Sequence, residues 1–331
     1  MNLKKWIPSD FSGFISINSN NESLLFNAYG YQDKPNKIAN NSDTIFGTAS
    51  AGKAFVAIAI MKLIEENKLS IDQPVTQILS ITLPNIDPTV TIKHLLNHTS
   101  GIGDYYDEDK MENYAELWLD FPNYKIRKNK DLLPLFIDKK MISSPEKTFK
   151  YNNTGYVILA MIIEELTEQS FDSYLNELIF KPANMHSTGY YSLDRLPPNT
   201  ANAYVYDKKT DEYYTNIYSI DATGTGAGGC FTTLKDLGNF WKSLVSGKII
   251  SKQTVTLMQT LQGSDCYGYG FWIAEKQGIK FPYIQGHDPG ITFISSYNQT
   301  TNLNITIMSN YEQNVWKMHN ELSTEIYNNS N

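Results

Sequence analysis

The chain has 331 residues, 41% of them apolar and 19% charged, with a formal net charge of −7. Those values exclude a disordered chain and leave room for one large domain or two smaller ones around a sizeable core. The acidic balance and the lack of a Lys/Arg cluster argue against nucleic acid and against an anionic membrane surface as partners.

No apolar run reaches the roughly 20 residues of a membrane span; the most apolar stretch, Ala51 to Ile64, is broken by Lys53 and Lys62. The basic start Met1-Asn2-Leu3-Lys4-Lys5 is followed by Trp6-Ile7-Pro8-Ser9-Asp10, where a secretory leader would have its apolar segment. The sequence therefore predicts a cytoplasmic protein, or an exported one if a leader has been removed. Cys230 and Cys266 match no redox or zinc spacing and read as free, partly buried thiols, with a single disulfide as the alternative.

In chain order, Phe14 to Ile17 and Leu24 to Tyr29 alternate about a polar turn, the pattern of a β-hairpin. Ala51 to Glu66 has good helix formers, no proline and apolar residues on most faces, which predicts a largely buried helix. Thr91 is a good N-cap for a second helix through Leu96 that stops near Gly101. Further helices are expected over about Gly155 to Gln169 and Phe171 to Phe180, the latter ending before Pro182. Residues 103–150 and 185–225 read as long ordered loops. Strands return at Tyr269 to Ile273, Tyr283 to Gln285, Ile291 to Tyr297 and Leu303 to Met308, and a helix over about Val315 to Tyr327 closes the chain. Segregated strands and helices predict an α+β fold. The two strand groups can share one antiparallel sheet only if the helical middle is an insertion. The expected units are 1–49 with 220–331 as a discontinuous sheet domain and 50–219 as a mostly helical one.

Three short constellations carry chemistry. Ser50 and Lys53, three apart at a helix start, share one face. A serine hydroxyl is a weak nucleophile until a base takes its proton, and burial can lower a lysine's pKa enough for it to be that base. The ordinary reading is an N-cap serine with a lysine that reaches solvent. Tyr151-Asn152-Asn153 precedes the third helix. A phenol beside an ammonium can lower its pKa and pass protons, and an asparagine can hold both lysine and substrate amide; the ordinary reading is a turn tyrosine and a helix cap. Gly286-His287-Asp288-Pro289-Gly290 lies between two strands, where a histidine and closely approaching backbone could meet a ligand, although Asp-Pro-Gly is also plain turn chemistry. His94 and His98 are four apart, a spacing able to hold zinc, but Leu95 stands where a His-Glu-x-x-His site has its carboxylate. No metal and no cofactor is expected.

The order Ser50-Ala51-Gly52-Lys53, Tyr151-x-Asn153, then His287 near a late strand resembles the penicillin-binding protein and serine β-lactamase family. Phe46 to Ser50, Thr91 to Gly101, Ala227 to Thr233 and Tyr267 to Trp272 extend the likeness over about residues 12–310. Tyr-x-Asn in place of Ser-x-Asn points to the class C β-lactamase, D,D-peptidase and esterase branch. The resemblance implies an antiparallel sheet flanked by helices, with the site at its junction with the helical insertion. It implies Ser50 as nucleophile, Lys53 and Tyr151 as proton carriers, and Asn153 as partner of lysine and substrate. His287 would stand first in a His-x-Gly motif. The third position is Pro289, which has no N–H, so Gly290 is expected to be the second oxyanion donor beside the Ser50 amide. Asp288 occupies a position that often carries a hydroxyl. The implied activity is hydrolysis of an ester, amide or peptide through an acyl-enzyme, with efficient β-lactam turnover not expected. The alternative is a penicillin- or peptide-binding module of the same fold with little or no turnover.

Overall fold

The computed structural model describes residues 2–20, 22–111 and 113–329. Both ends of the chain build one six-stranded antiparallel sheet. Strands β1 (Gly13–Ser19) and β2 (Glu22–Tyr29) form the expected hairpin. A small hairpin, β3 (Tyr204–Asp207) and β4 (Glu212–Thr215), lies apart from the sheet within the segment expected to be loop. Strands β5 (Trp272–Lys276), β6 (Ile279–Asp288), β7 (Ile291–Asn298) and β8 (Leu303–Ser309) complete the sheet in the order β2-β1-β8-β7-β6-β5. The closure between chain ends is the β1–β8 ladder, running from Gly13 opposite Ser309 to Ser19 opposite Leu303.

Period-two alternation gives the sheet two buried faces. Ile15, Ile17, Ile294, Ile305 and Ile307 pack against helix α7 (Val315–Asn329) through Met318, Leu322 and Ile326. Phe14, Ile284, Phe293 and Met308 point the other way, into the main core. That core is centred on α1 (Lys53–Glu65), which is apolar and buried almost all round, as its sequence predicts. Helix α2 (Ile92–Leu96) starts at Thr91 in a capping box whose second half is His94, and it is shorter than expected, ending before Asn97. Helix α3 (Asn153–Thr167) packs beside α1, and α4 (Phe171–Leu175) continues into a π-turn through Phe180.

Helices also lie where the sequence reading placed none: α5 (Leu234–Val245) and α6 (Lys252–Met258), and short helical segments, Leu117–Asp120 and Leu133–Phe136, inside the stretch 103–150 expected to be loop. Leu234, Leu237, Phe240, Trp241 and Leu244 form the buried face of α5. Its Trp241 indole donates to Ser295 of β7 at 2.9 Å, tying that helix to the sheet. Residues Phe46–Gly47 and Phe231–Thr232 form a short two-stranded bridge immediately before Ser50. Cys230 is buried and Cys266 half-buried, and both are free. Among the described residues, no helix is long and apolar enough to cross a membrane.

Candidate active site

Ser50 sits in a single 3₁₀ turn, Ala49–Gly52, that runs directly into α1. Its backbone is gripped from two sides. Gly228 is so close that a Cβ there would lie 2.8 Å from the Ala49 carbonyl oxygen and 3.1 Å from the Ser50 nitrogen. On the other side, a Cβ on Gly286 of β6 would stand 2.2 Å from the Thr48 oxygen and 2.7 Å from the Ser50 nitrogen. Ala49 itself holds φ = +47°, a strained conformation for a residue with a side chain. The strain is locked in by neighbours: Gly229 N–H donates to Ala49 at 3.2 Å, and the Thr48 amide and hydroxyl both donate to the Cys230 carbonyl, at 2.8 and 2.9 Å. The glycine-rich run Ala227 to Gly229 is thus the surface against which the serine turn is formed.

Lys53, on the first turn of α1, is 2% exposed. Its ammonium donates to Ser50 Oγ at 3.0 Å, to Asn153 Oδ1 at 2.8 Å and to the Ala227 carbonyl. Burial lowers its pKa to about 8, against the opposing pull of Glu108, Asp104, Asp288 and Asp221. A lysine that snorkels to solvent is therefore not what the chain builds.

Tyr151 hydrogen-bonds Ser50, and its ring lies 4.9 Å from the Lys53 nitrogen. The ring is wedged between Trp272, stacked at 5.8 Å, and the His98 imidazole at 4.5 Å. The expected lowering of its pKa is not what the surroundings produce. Burial drives the phenol well above its ordinary value, with the negative charge of Glu108 adding to the rise and the Ser50 hydrogen bond opposing it. The correction follows from geometry: one nearby ammonium, shared among three acceptors, does not offset desolvation and surrounding carboxylates.

Asn153 lies where α3 begins, while the helix cap is Asn152, whose Oδ1 accepts from Gly155 N–H at 2.7 Å. The Asn153 amide NH₂ is shared by Asp104, Tyr106 and Glu108 at 3.2 to 3.3 Å, so its donors face protein acceptors, and its oxygen faces Lys53. Asp104 also accepts from the backbone amides of Asn153 and Thr154, at 2.7 and 2.9 Å. Burial still holds its carboxyl up at about 6. The sequence carried no signal for Asp104, which lies in a stretch read as loop.

Along β6, Ile284, Gly286 and Asp288 face the α1 side, and Gln285 and His287 face the α7 side. His287 is exposed there, 3.6 Å from Glu312 and edge-on to Trp316. Glu312 holds its pKa above the ordinary value. Asp288 faces the cleft with Ser50, and its carboxyl is pushed up to about 7 by burial and by Asp221. Gly290 is not brought to Ser50. Pro289 and Gly290 are the two-residue turn between Asp288 and Ile291, with Gly290 at φ = +75° and packed against Ala203 and Tyr204. A proline followed by a positive-φ glycine is type II turn chemistry. His94 and His98 are engaged separately: His94 Nδ1 accepts from Thr91 N–H at 3.0 Å, and His98 Nδ1 accepts from Asn152 N–H at 3.1 Å.

Asp221 is a second group the sequence did not announce. It lies in a loop, lines the same pocket as Asp288, accepts from the Tyr114 hydroxyl at 2.8 Å, and is raised to about 7 by burial. Ser50, Tyr106, Glu108, Tyr114, His287 and Asp288 line both a narrow pocket and a wider groove that opens toward Trp272 and the β3–β4 hairpin.

A sheet built from both chain ends, with a helical insertion and a buried Ser-x-x-Lys turn at their junction, defines the β-lactamase-like fold. The chain belongs to the beta-lactamase family, whose family model matches residues 11–324. It is 29% identical over 306 residues to the putative penicillin-binding protein PbpX of Bacillus subtilis, covering 92% of this chain and 72% of that protein. It is 30% identical over 290 residues to penicillin-binding protein 4* of the same organism, covering 82% of this chain and 61% of that one. Identity to the teichoic acid D-alanine hydrolase of Staphylococcus aureus is 27% over 285 residues, spanning 64% of its length. The last two relatives thus extend well beyond the part this chain matches. The penicillin-binding protein from Bacillus halodurans superposes with a TM-score of 0.91 at 32% identity, covering 97% of this chain and 98% of that one. The D-amino acid amidase from Ochrobactrum anthropi shares the fold, with a TM-score of 0.81 at 21% identity over 99% of this chain and 97% of that one.

Proposed function

We propose that the protein is a serine hydrolase that cleaves esters or amides through an acyl-enzyme on Ser50. The observation that carries this reading is the buried Lys53 nitrogen 3.0 Å from Ser50 Oγ, with a pKa of about 8. Roughly a tenth of such a lysine is the free amine at neutral pH, enough to act as general base. Lys53 takes the Ser50 proton as Oγ bonds to the substrate carbonyl carbon. The oxyanion meets the Ser50 amide and a second main-chain donor. Ile291 and Asp288 close the turn as a hydrogen-bonded pair, so by antiparallel alternation the His287 N–H faces away from β7. That N–H, rather than Gly290, is the second donor in this reading. Tyr151, a neutral phenol, gives its proton to the leaving group and regains one from Lys53. Water then attacks the acyl ester and frees Ser50.

Hydrolase names among the relatives support a reaction of this kind. In the rival reading, a penicillin- or peptide-binding module, nothing would require a base with a lowered pKa against the serine. The test is mass spectrometry after a fluorophosphonate, together with release from a chromogenic ester. The proposal requires the label on the Ser50 peptide and no turnover by folded Ser50→Ala. Label on another serine, or an unlabelled protein without esterase activity, would sink it.

A further inference from the structure

His98 occupies a costly position. Its backbone holds φ = +59°, a region where residues other than glycine are uncommon. Its imidazole is 1% exposed and packed among the rings of Phe149, Tyr151, Tyr156 and Tyr267, at 4.5 to 5.9 Å between centroids. Because Nδ1 accepts from the Asn152 N–H, the ring proton is on Nε2. Nε2 has no hydrogen-bond partner among the described residues. An apolar side chain would fill this aromatic box without a buried, unpaired N–H.

An apolar side chain could not grip the chain on both sides of Tyr151. The Lys150 N–H donates to the His98 carbonyl at 2.9 Å, and the Asn152 N–H donates to His98 Nδ1 at 3.1 Å. The residues just before and just after Tyr151 are thus tied to one residue. The same imidazole backs the Tyr151 ring at 4.5 Å, and Trp272 stacks on that ring at 5.8 Å. These contacts set where the phenol points, and its hydroxyl meets Ser50. The grip needs a neutral imidazole, since a proton on Nδ1 would face the Asn152 N–H. Burial and the Lys53 charge keep it neutral.

We propose that His98 is a positioning residue for Tyr151, holding the phenol in reach of Ser50 and of the leaving group by bracketing its main chain and backing its ring. This rests on Ser50 as nucleophile and on Tyr151 as proton donor to the leaving group. His98 acts through Tyr151, so its loss is felt where the phenol's proton is needed.

The test measures kcat/KM on a nitrophenyl ester and an anilide of the same acyl group. His98→Phe keeps a ring and removes the Nδ1 acceptor. His98→Asn gives up the ring but keeps an oxygen at the position of Nδ1, on a residue that tolerates the left-handed backbone. His98→Phe is expected to lower anilide hydrolysis by about 100-fold, the cost of a misplacement of roughly 1 Å, and ester hydrolysis far less. His98→Asn should retain more of the anilide activity than His98→Phe. In a Tyr151→Phe background, His98→Phe should cost the anilide almost nothing more, because both changes act through one hydroxyl. Equal losses on the two substrates, or losses that multiply in the double variant, would mark His98 as structural only and overturn the proposal. Should His98→Phe not fold, nitrogen NMR of the wild-type imidazole decides: the grip requires a neutral ring with its proton on Nε2, and a proton on Nδ1 overturns it. A wild type that neither turns over the ester nor takes label at Ser50 defeats the Ser50 reading and this inference with it. A selective anilide loss in Tyr151→Phe without coupling to His98 defeats this inference alone.

Discussion

Gly286 of β6 passes so close to Ser50 that a Cβ would stand 2.7 Å from its amide nitrogen. The sheet therefore touches Ser50 through bare backbone. Gly286→Ala is expected to displace the serine turn, because the obstructing atoms are main chain and cannot rotate away. The expected outcome is a loss of esterase kcat/KM of about 100-fold or more with a lowered melting temperature. Gly238→Ala is the control, since no atom lies within 4 Å of a Cβ there; helix propensity favours that change by roughly 1 kcal/mol. Steady-state kinetics and calorimetry on the pair check this.

Tyr151→Phe keeps the ring between Trp272 and His98 and removes only the hydroxyl. General acid–base groups contribute typically about 10²–10⁴-fold. The loss should fall on amides more than on activated esters, whose leaving groups need no proton. Equal losses on a nitrophenyl ester and an anilide would show that Tyr151 does not serve the leaving group.

For the wild type, esterase activity should rise with pH through an apparent pKa near 8. In the proposed reaction the free amine of Lys53 is the active form, and burial has brought its titration down to that region. Asp288→Asn removes one of the charges that hold Lys53 protonated, so the midpoint should move to lower pH. A pH–rate profile on a neutral ester reads both.

Stability should carry the opposite signature. Burial raises the folded-state carboxyl of Asp288 to about 7, above its ordinary 3.8. Between those values the folded state binds the proton more tightly than the unfolded one, so stability falls as pH rises through that window. Asp288→Asn should raise the melting temperature at pH 8 by a few degrees and have little effect at pH 4. Thermal scans at the two pH values decide it; an equal shift at both would assign the change to packing.

Penicillins and cephalosporins present a carboxylate to this cleft, where Asp288 stands and the pocket wall is acidic. Like charges at about 4 Å and an effective dielectric near 20 oppose each other by up to about 4 kcal/mol. Hydrolysis is expected far below the ~10⁴–10⁸ M⁻¹s⁻¹ of competent enzymes, with slow acylation of Ser50 at most. Asp288→Ser should speed that acylation, as followed by intact-mass spectrometry.

The architecture was legible where local pattern and global position agree. The hairpin at β1 and β2, the buried α1 and the late strands are stated by alternation and helix formers, and their pairing across the chain follows once the helical middle is an insertion. Ser50, Lys53, Tyr151 and Asn153 were legible as spaced residue types, and the structure brings them within hydrogen-bonding reach of one another. Asp104 and Asp221 were not, because their role comes from burial among distant segments, and a loop aspartate looks like turn chemistry in one dimension. The phenol of Tyr151 was misread for the same reason: its pKa depends on desolvation that no motif encodes. Gly290 was placed by motif register, whereas the two-residue turn draws it to Ala203 and Tyr204. Helix α5 was audible in its apolar spacing, Leu234, Leu237, Phe240, Trp241 and Leu244, and was passed over beside the glycine-rich run that precedes it.

The serine turn is pressed into shape by Gly228 and Gly286, which lie some 180 and 240 positions further along the chain, and the sheet closes only when Leu303 to Ser309 inserts beside β1. A nascent chain that has emerged as far as α3 already contains Ser50, Lys53, Tyr151 and Asn153, yet it lacks both clamps. On the proposed reading, reactivity is therefore a property of the finished topology. On that reading Ser50 is dormant during synthesis, and long-range closure of this kind is slow compared with forming helices. Proteolytic loss of the last two strands would extinguish the chemistry while leaving every one of those four residues in place.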